Sequence, residues 1–221
     1  MDPTPNANRF SKTTEQVTQA LLSLAGNMQT RKLGELFEHL AVRPSRSIPR
    51  TNVVAHSHYL EPLIFSKSRL SGNSRSWGDA TPLVQRQVMK EILAQGQLLS
   101  TFDKAALVSI ARHESGFNPD AASAHSSASG VFQLIDQTAH SLGLEKSQRF
   151  NAYDNIAGGI LLYKQISSQV PTSLSAADRL IKIYALFHDG PTLKYGGAKI
   201  ARMKIVPHFQ ETYRLMKQTR L

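Results

Sequence analysis

Residues 107–133 read LVSIARHESGFNPDAASAHSSASGVFQ, and the change of character within this stretch decides the fold. Its first part is helical: Leu107, Ile110, Ala111 and Glu114 follow the 0, 3, 4, 7 spacing that lines side chains along one face of an α-helix. Ser100 with Asp103 resembles a capping box ahead of that stripe, and Gly116 with Pro119 must end it. The next part, Asn118 to Gly130, is small, polar and turn-prone, and is the longest irregular segment of its domain. Glu114 is thus a carboxylate at the end of an apolar face. If it keeps to that face, burial disfavours its charged form and lifts its pKa toward the range in which a carboxylic acid protonates a leaving group near neutral pH. If the last turn bends outward, it is one more solvated carboxylate; periodicity alone leaves both open.

Helical patterns flank this stretch on both sides. Pro82 suits a first-turn position, with Val84, Val88 and Ile92 as an apolar stripe behind it. Ser175 and Asp178 repeat the capping arrangement ahead of Leu180, Tyr184 and Phe187, and Pro207 is expected to open a last helix carrying Phe209, Tyr213 and Met216. No hairpin of alternating residues is convincing, so the fold class is mainly α. Further upstream, Val17, Leu21 and Leu24, then Leu33, Leu36, Phe37 and Leu40, share helical faces and suggest a helical hairpin turning near Gly26-Asn27. Residues 43–50 and 66–78, rich in Ser, Arg, Pro and Gly, lose all periodicity. Trp77, at their end, is an anchor onto the next domain or a ligand-stacking residue. The expected organisation is an N-terminal helical segment over 1–41, a linker over 42–80, and a main domain over 81–221.

Composition narrows the chemistry. A 221-residue chain can bury a sizeable core, and the absence of cysteine excludes disulfides, iron–sulfur sites and thiol nucleophiles. Apolar runs such as residues 21–25 and 160–163 are too short to span a membrane. The 26 Lys and Arg against 16 Asp and Glu leave a net charge of +10, which attracts polyanions. The basic residues are dispersed and accompany no base-reading motif, so nucleic acid is not the expected partner. No ligand spacing suggests a metal, and no secretory signal is evident near Arg9 and Lys12.

The stretch Glu114 to Ser123, followed by Ser127 to Gln133, resembles the signature of the soluble lytic transglycosylase (SLT) family of the lysozyme-like superfamily: E-S-x-x-N-P-x-A-x-S, a spacer, then G-A-x-G-L-M-Q. Asn155-Ile156-Ala157-Gly158-Gly159 is similar to the later N-I-x-x-G element, and Phe187-His188-Asp189-Gly190-Pro191 loosely matches A-Y-N-A-G-P. The resemblance spans about Leu83 to Tyr213. It implies a lysozyme-like helical catalytic domain that works as a monomer, without cofactor, on peptidoglycan glycan strands. It also implies cleavage of the bond from N-acetylmuramic acid to N-acetylglucosamine.

Carried over by position, the resemblance makes Glu114 the sole catalytic acid and base. Ser115 would help position it, Ser123 would approach the bound sugar, and Gln133 would hydrogen-bond the glycan. Tyr184 would supply a hydroxyl to the cleft, and His188 takes the asparagine position of the third element. Each has an ordinary alternative: a loop cap for Ser115, a turn for Ser123, a satisfied amide for Gln133, a core aromatic for Tyr184, a packing or surface histidine for His188. Ser127 replaces a usual glycine, and the spacer before Gly130 is one residue longer than the common form. Asp120, Asp136, Asp154 and Asp189 are the candidates for a second carboxylate, which glycoside cleavage ordinarily recruits. The expected outcome is lytic transglycosylation, ahead of muramidase hydrolysis and of a non-catalytic glycan-binding protein. Lacking an evident signal, such an enzyme would be made in the cytoplasm and reach the periplasm or wall by a holin or a specialised secretion route, as a phage endolysin or a secreted antibacterial effector. Lys199, Arg202, Lys204, Arg214, Lys217 and Arg220 would hold it on anionic envelope polymers, or form a merely solvated face.

Overall fold

A computed structural model of the chain describes residues 31, 34–38, 79–80, 82–123 and 126–219. The expectations for Val17 to Leu24, the turn at Gly26-Asn27, the 43–50 and 66–78 stretches, Trp77 and Arg220 lie outside those residues. The chain divides into two units, residues 1–39 and 40–221. In the first, Leu36 and Phe37 are each 2% exposed on a helical stretch over 34–38, as their shared face predicts.

The second unit is helical throughout its regular structure, and its described residues contain no strand beyond isolated bridges. Helix α1, Pro82–Gln95, buries Val84, Val88 and Ile92 as its stripe predicts. Helix α2, Thr101–Ser115, starts at Ser100, whose Oγ accepts the Asp103 N–H at 3.2 Å. Gly116 closes α2 in a left-handed conformation, φ 58°, that a residue with a Cβ adopts only at a cost. A Cβ at Gly116 would also come within 2.7 Å of the Asp79 Cα, because the chain at Asp79–Ala80 crosses the helix end and Ala80 N–H bonds Gly116 C=O at 3.0 Å.

The apolar stripe understates how deeply α2 is placed. Phe102, Ala105, Ala106, Val108 and Ser109 are buried along with Leu107, Ile110 and Ala111. A helix apolar on nearly every side is a core helix, and three others pack around it: α5, Ala176–Asp189; α7, Val206–Thr219; and α1. Between them run α3, Asp136–Ser141, a 3₁₀ turn over Lys146–Phe150, and α4, Ala152–Ser167. Asn151 caps α4 by accepting from Tyr153 and Asp154, and Ser175 caps α5 by accepting from Asp178.

Pro207 stands in the first turn of the last helix, as expected, but does not start the helical path. The helical path already begins with α6, Gly197–Ile200, and passes through a π turn over Ala201–Ile205 before α7. Proline has no N–H and crowds the carbonyl four residues back; the wide turn immediately ahead, closed by Val206 N–H on Ala201 C=O, is where the ladder absorbs it. The irregular segment is also not wholly irregular: Ser129 bridges both Ala122 and Leu134 in antiparallel fashion, folding residues 122–134 into a small three-stemmed loop. Each pairing is too short to leave a periodic signal.

Candidate active site

Glu114 stands in the last turn of α2, half-buried, where the core helix meets the irregular segment. The outward bend does not occur. Its Oε1 accepts the Tyr184 O–H at 2.7 Å, from α5. Tyr184 is wholly buried, so it is both the core aromatic and the hydroxyl donor, two readings that sequence kept apart. Burial pushes the Glu114 pKa up, against the pull of the Tyr184 hydrogen bond and of nearby His188. Burial and the facing Glu114 carboxylate likewise push the Tyr184 phenol far up, so it remains a donor at any working pH.

Around this pair sit His113, edge-on to Tyr184 at 5.9 Å, Phe187, stacked at 6.5 Å, and His188 at 5.6 Å between ring centres. His188 Nδ1 lies 2.6 Å from Asp189 Oδ1. Asp189 is 7% exposed and also receives the Gly197 N–H on both oxygens at 3.1 Å. Although burial works in the other direction, the hydrogen bonds from His188 and Gly197 hold its carboxyl below the usual range. Asp189 thereby ties the end of α5 to the start of α6 and orients the His188 ring beside Glu114.

The loop opposite Glu114 is fixed from three sides. Ser115 Oγ donates to Val131 C=O at 2.8 Å and to Ala111 C=O at 3.2 Å, and accepts the Asn118 N–H at 3.2 Å. Asn155, fully buried on α4, donates to Ser129 C=O and Arg149 C=O and accepts the Phe132 N–H, all within 3.0 Å. Arg149, 3% exposed, donates to Ser127 C=O, Ser129 Oγ and Leu134 C=O, and pairs with Asp136. Gly159 is needed where Phe132 crosses α4: a Cβ there would lie 2.3 Å from the phenylalanine ring. The arrangement sets a loop held by hydrogen bonds beside a half-buried carboxylic acid, a group suited to proton transfer.

Residues 93–191 match the family model described as "Transglycosylase SLT domain". This part of the chain is an SLT domain. The family comprises lytic transglycosylases acting on peptidoglycan and belongs to the lysozyme-like superfamily, a helical fold, in keeping with the helical architecture here. No solved structure matches the chain. The matched residues run from inside α1 through Pro191, so Glu114, Tyr184 and His188 all belong to the SLT domain, whereas α6, and α7 which packs on α2, follow it.

Within the SLT domain the residues read from sequence take different places. Glu114, Tyr184 and His188 come together. Ser115 is 8% exposed with its hydroxyl bonded to backbone, so it staples the loop to the helix end. Gln133 is half-buried and held at φ 48°, an unfavourable conformation for a side chain of its size; its amide donates to Ala121 C=O and Gly130 C=O. Ser123 lies on the far stem of the loop, where its Oγ accepts the Ser126 N–H at 3.2 Å. The extra spacer residue and Ser127 are accommodated by Arg149 and by Asp136 N–H, which bonds Ser127 Oγ at 3.0 Å. Sequence reading missed Arg149 and His113. Arg149 stands in no motif, and only the tertiary fold brings it to the loop. His113 is next to Glu114 in the chain, but nothing in the sequence shows its ring meeting Tyr184.

Proposed function

We propose that the SLT domain cleaves the bond from N-acetylmuramic acid to N-acetylglucosamine with Glu114 as its one acid and base. The observation that carries this reading is the Tyr184 O–H on a Glu114 carboxyl whose pKa burial raises. The other candidate carboxylates are engaged elsewhere: Asp120 is fully buried, Asp136 pairs with Arg149, Asp154 accepts from Gln148, and Asp189 is held by Gly197 and His188. A two-carboxylate mechanism would need one of them at the cleaved bond.

Protonated Glu114 donates to the glycosidic oxygen as the bond breaks, while the acetamido oxygen of the muramic residue stabilises the anomeric carbon. Glu114, now ionised, takes the proton of the same sugar's carbon-six hydroxyl, whose oxygen closes on the anomeric carbon. The product is a 1,6-anhydro end, and the acid is restored without water. Intramolecular attack is favoured because nucleophile and electrophile share one ring. Tyr184 stabilises the ionised form between the two transfers.

The setting we favour is a phage endolysin acting on the wall after holin release, with a secreted antibacterial effector as the alternative; the exposed cations Lys199, Arg202 and Lys204 suit retention on anionic envelope polymers in either case. Mass spectrometry of fragments released from purified sacculi tests the chemistry. Fragments lacking the elements of water support transglycosylation, reducing ends would make the enzyme a muramidase, and no release by the wild-type protein would leave a glycan-binding protein.

A further inference from the structure

A pocket of about 340 Å³ opens between the loop over residues 122–129 and the 3₁₀ turn over Lys146–Phe150, and the Glu114 chemistry makes no use of it. Its polar lining is one-sided. Arg149 and Asp136 form its inner wall and neutralise each other. Ser126 Oγ accepts the Ala128 N–H at 3.2 Å and Ser127 Oγ accepts the Asp136 N–H at 3.0 Å. A hydroxyl used as an acceptor still has its own proton to give, and among the described residues neither serine gives it. Lys146, exposed at the rim, makes no ion pair among the described residues.

The groups left over are therefore two hydroxyl donors and an ammonium, beside an acid already paired. Such a set is completed by a ligand that only accepts, and charge-assisted hydrogen bonds from Lys and Ser hydroxyls suit a carboxylate. Phe150, 5% exposed, adds an apolar floor. Ser123 is on the same rim, the residue that the family resemblance turns toward the sugar. The geometry points to a carboxylate-binding pocket in which Lys146, Ser126 and Ser127 hold an acidic group of the peptide borne by the glycan strand. This rests on the glycan-cleaving reading above, and it makes the strand's peptide, as well as its sugars, part of what the enzyme selects.

The test uses the full chain carrying Glu114→Gln, so that binding is read without turnover. Its affinity is measured for glycan strands bearing their acidic stem peptides, for the same strands stripped by an amidase, and for the isolated stem peptide. The peptide-bearing strand is expected to bind about tenfold more tightly than the stripped one, the size of one charge-assisted contact. Adding Lys146→Ala erases that difference while leaving the stripped strand's affinity unchanged, and Lys146→Arg restores most of it. Equal affinity for the two strands, or a difference that survives Lys146→Ala, overturns the pocket and leaves the glycan reading standing. Failure to bind either strand overturns the glycan reading, and the isolated peptide then decides the pocket: binding lost with Lys146→Ala sustains it, and no binding ends it.

Discussion

At the scale of single residues, the proposed site centres on Glu114, whose charged form is opposed by burial. Replacing Glu114 by Gln keeps shape and removes the proton, and the rate of sacculus digestion is expected to fall on the order of 10³-fold, within the range general acid–base groups supply. The same variant should melt at a higher temperature near neutral pH, since it removes a carboxyl whose ionisation the fold opposes; an unchanged or lower melting point would contradict the burial argument. Tyr184→Phe acts on the pKa. The Tyr184 O–H favours the charged carboxylate and so lowers the Glu114 pKa; without it that pKa rises, and the alkaline limb of the pH–rate profile should move to higher pH.

Asp120 gives a separate handle. Burial raises its pKa from 3.8 to about 8, so between those values the folded state holds a proton that the unfolded chain has released. Stability from this group is complete below pH 3.8 and is lost as pH rises toward about 8, with a slope of about 1.4 kcal/mol per pH unit. Urea denaturation of Asp120→Asn across that interval should show the slope removed.

At the scale of elements, the decisive feature is the joint between α2, the 116–135 loop and α4. Asn155 holds it with three hydrogen bonds in a place no water reaches. Asn155→Ala leaves those backbone groups unsatisfied, and a loss of about 2–4 kcal/mol in unfolding free energy is expected, measurable by chemical denaturation. The N-I-x-x-G pattern thereby has a physical basis: Asn155 satisfies the loop, and Gly159 admits Phe132. The capping serines, Ser100 and Ser175, were legible because a cap is a local device; each aligns an Asp three residues on with its own hydroxyl. What no local reading contained is that Asp103 also accepts from Tyr163 at 2.7 Å, a contact between residues 60 apart.

At the scale of the whole molecule, charge is sorted more finely than composition suggested. Arg214 is paired with Glu211 at 2.6 Å and Lys217 rests over the Tyr213 ring at 5.0 Å. Lys199, Arg202 and Lys204 are exposed and make no ion pair among the described residues, and no acid occurs between Asp189 and Glu211. Reversing Lys199 and Arg202 to Glu should lower retention on sacculi and flatten its dependence on salt, because exposed cations act through screened, long-range attraction. Retention that is indifferent to both changes would leave that cluster a solvated face.

Sequence alone determined the helical class, the limits of α2, its caps and the motifs that carry Glu114, because periodicity, capping and turn chemistry act over a few residues. It could not decide whether Glu114 faced core or solvent, since both readings satisfy the same spacing; that depended on Tyr184 arriving from 70 positions away. Nor could it show Arg149 holding the lengthened loop, or the Ser115 hydroxyl turned to backbone. Those outcomes belong to tertiary structure alone, where burial sets a carboxyl's proton affinity and where distant donors and acceptors first meet.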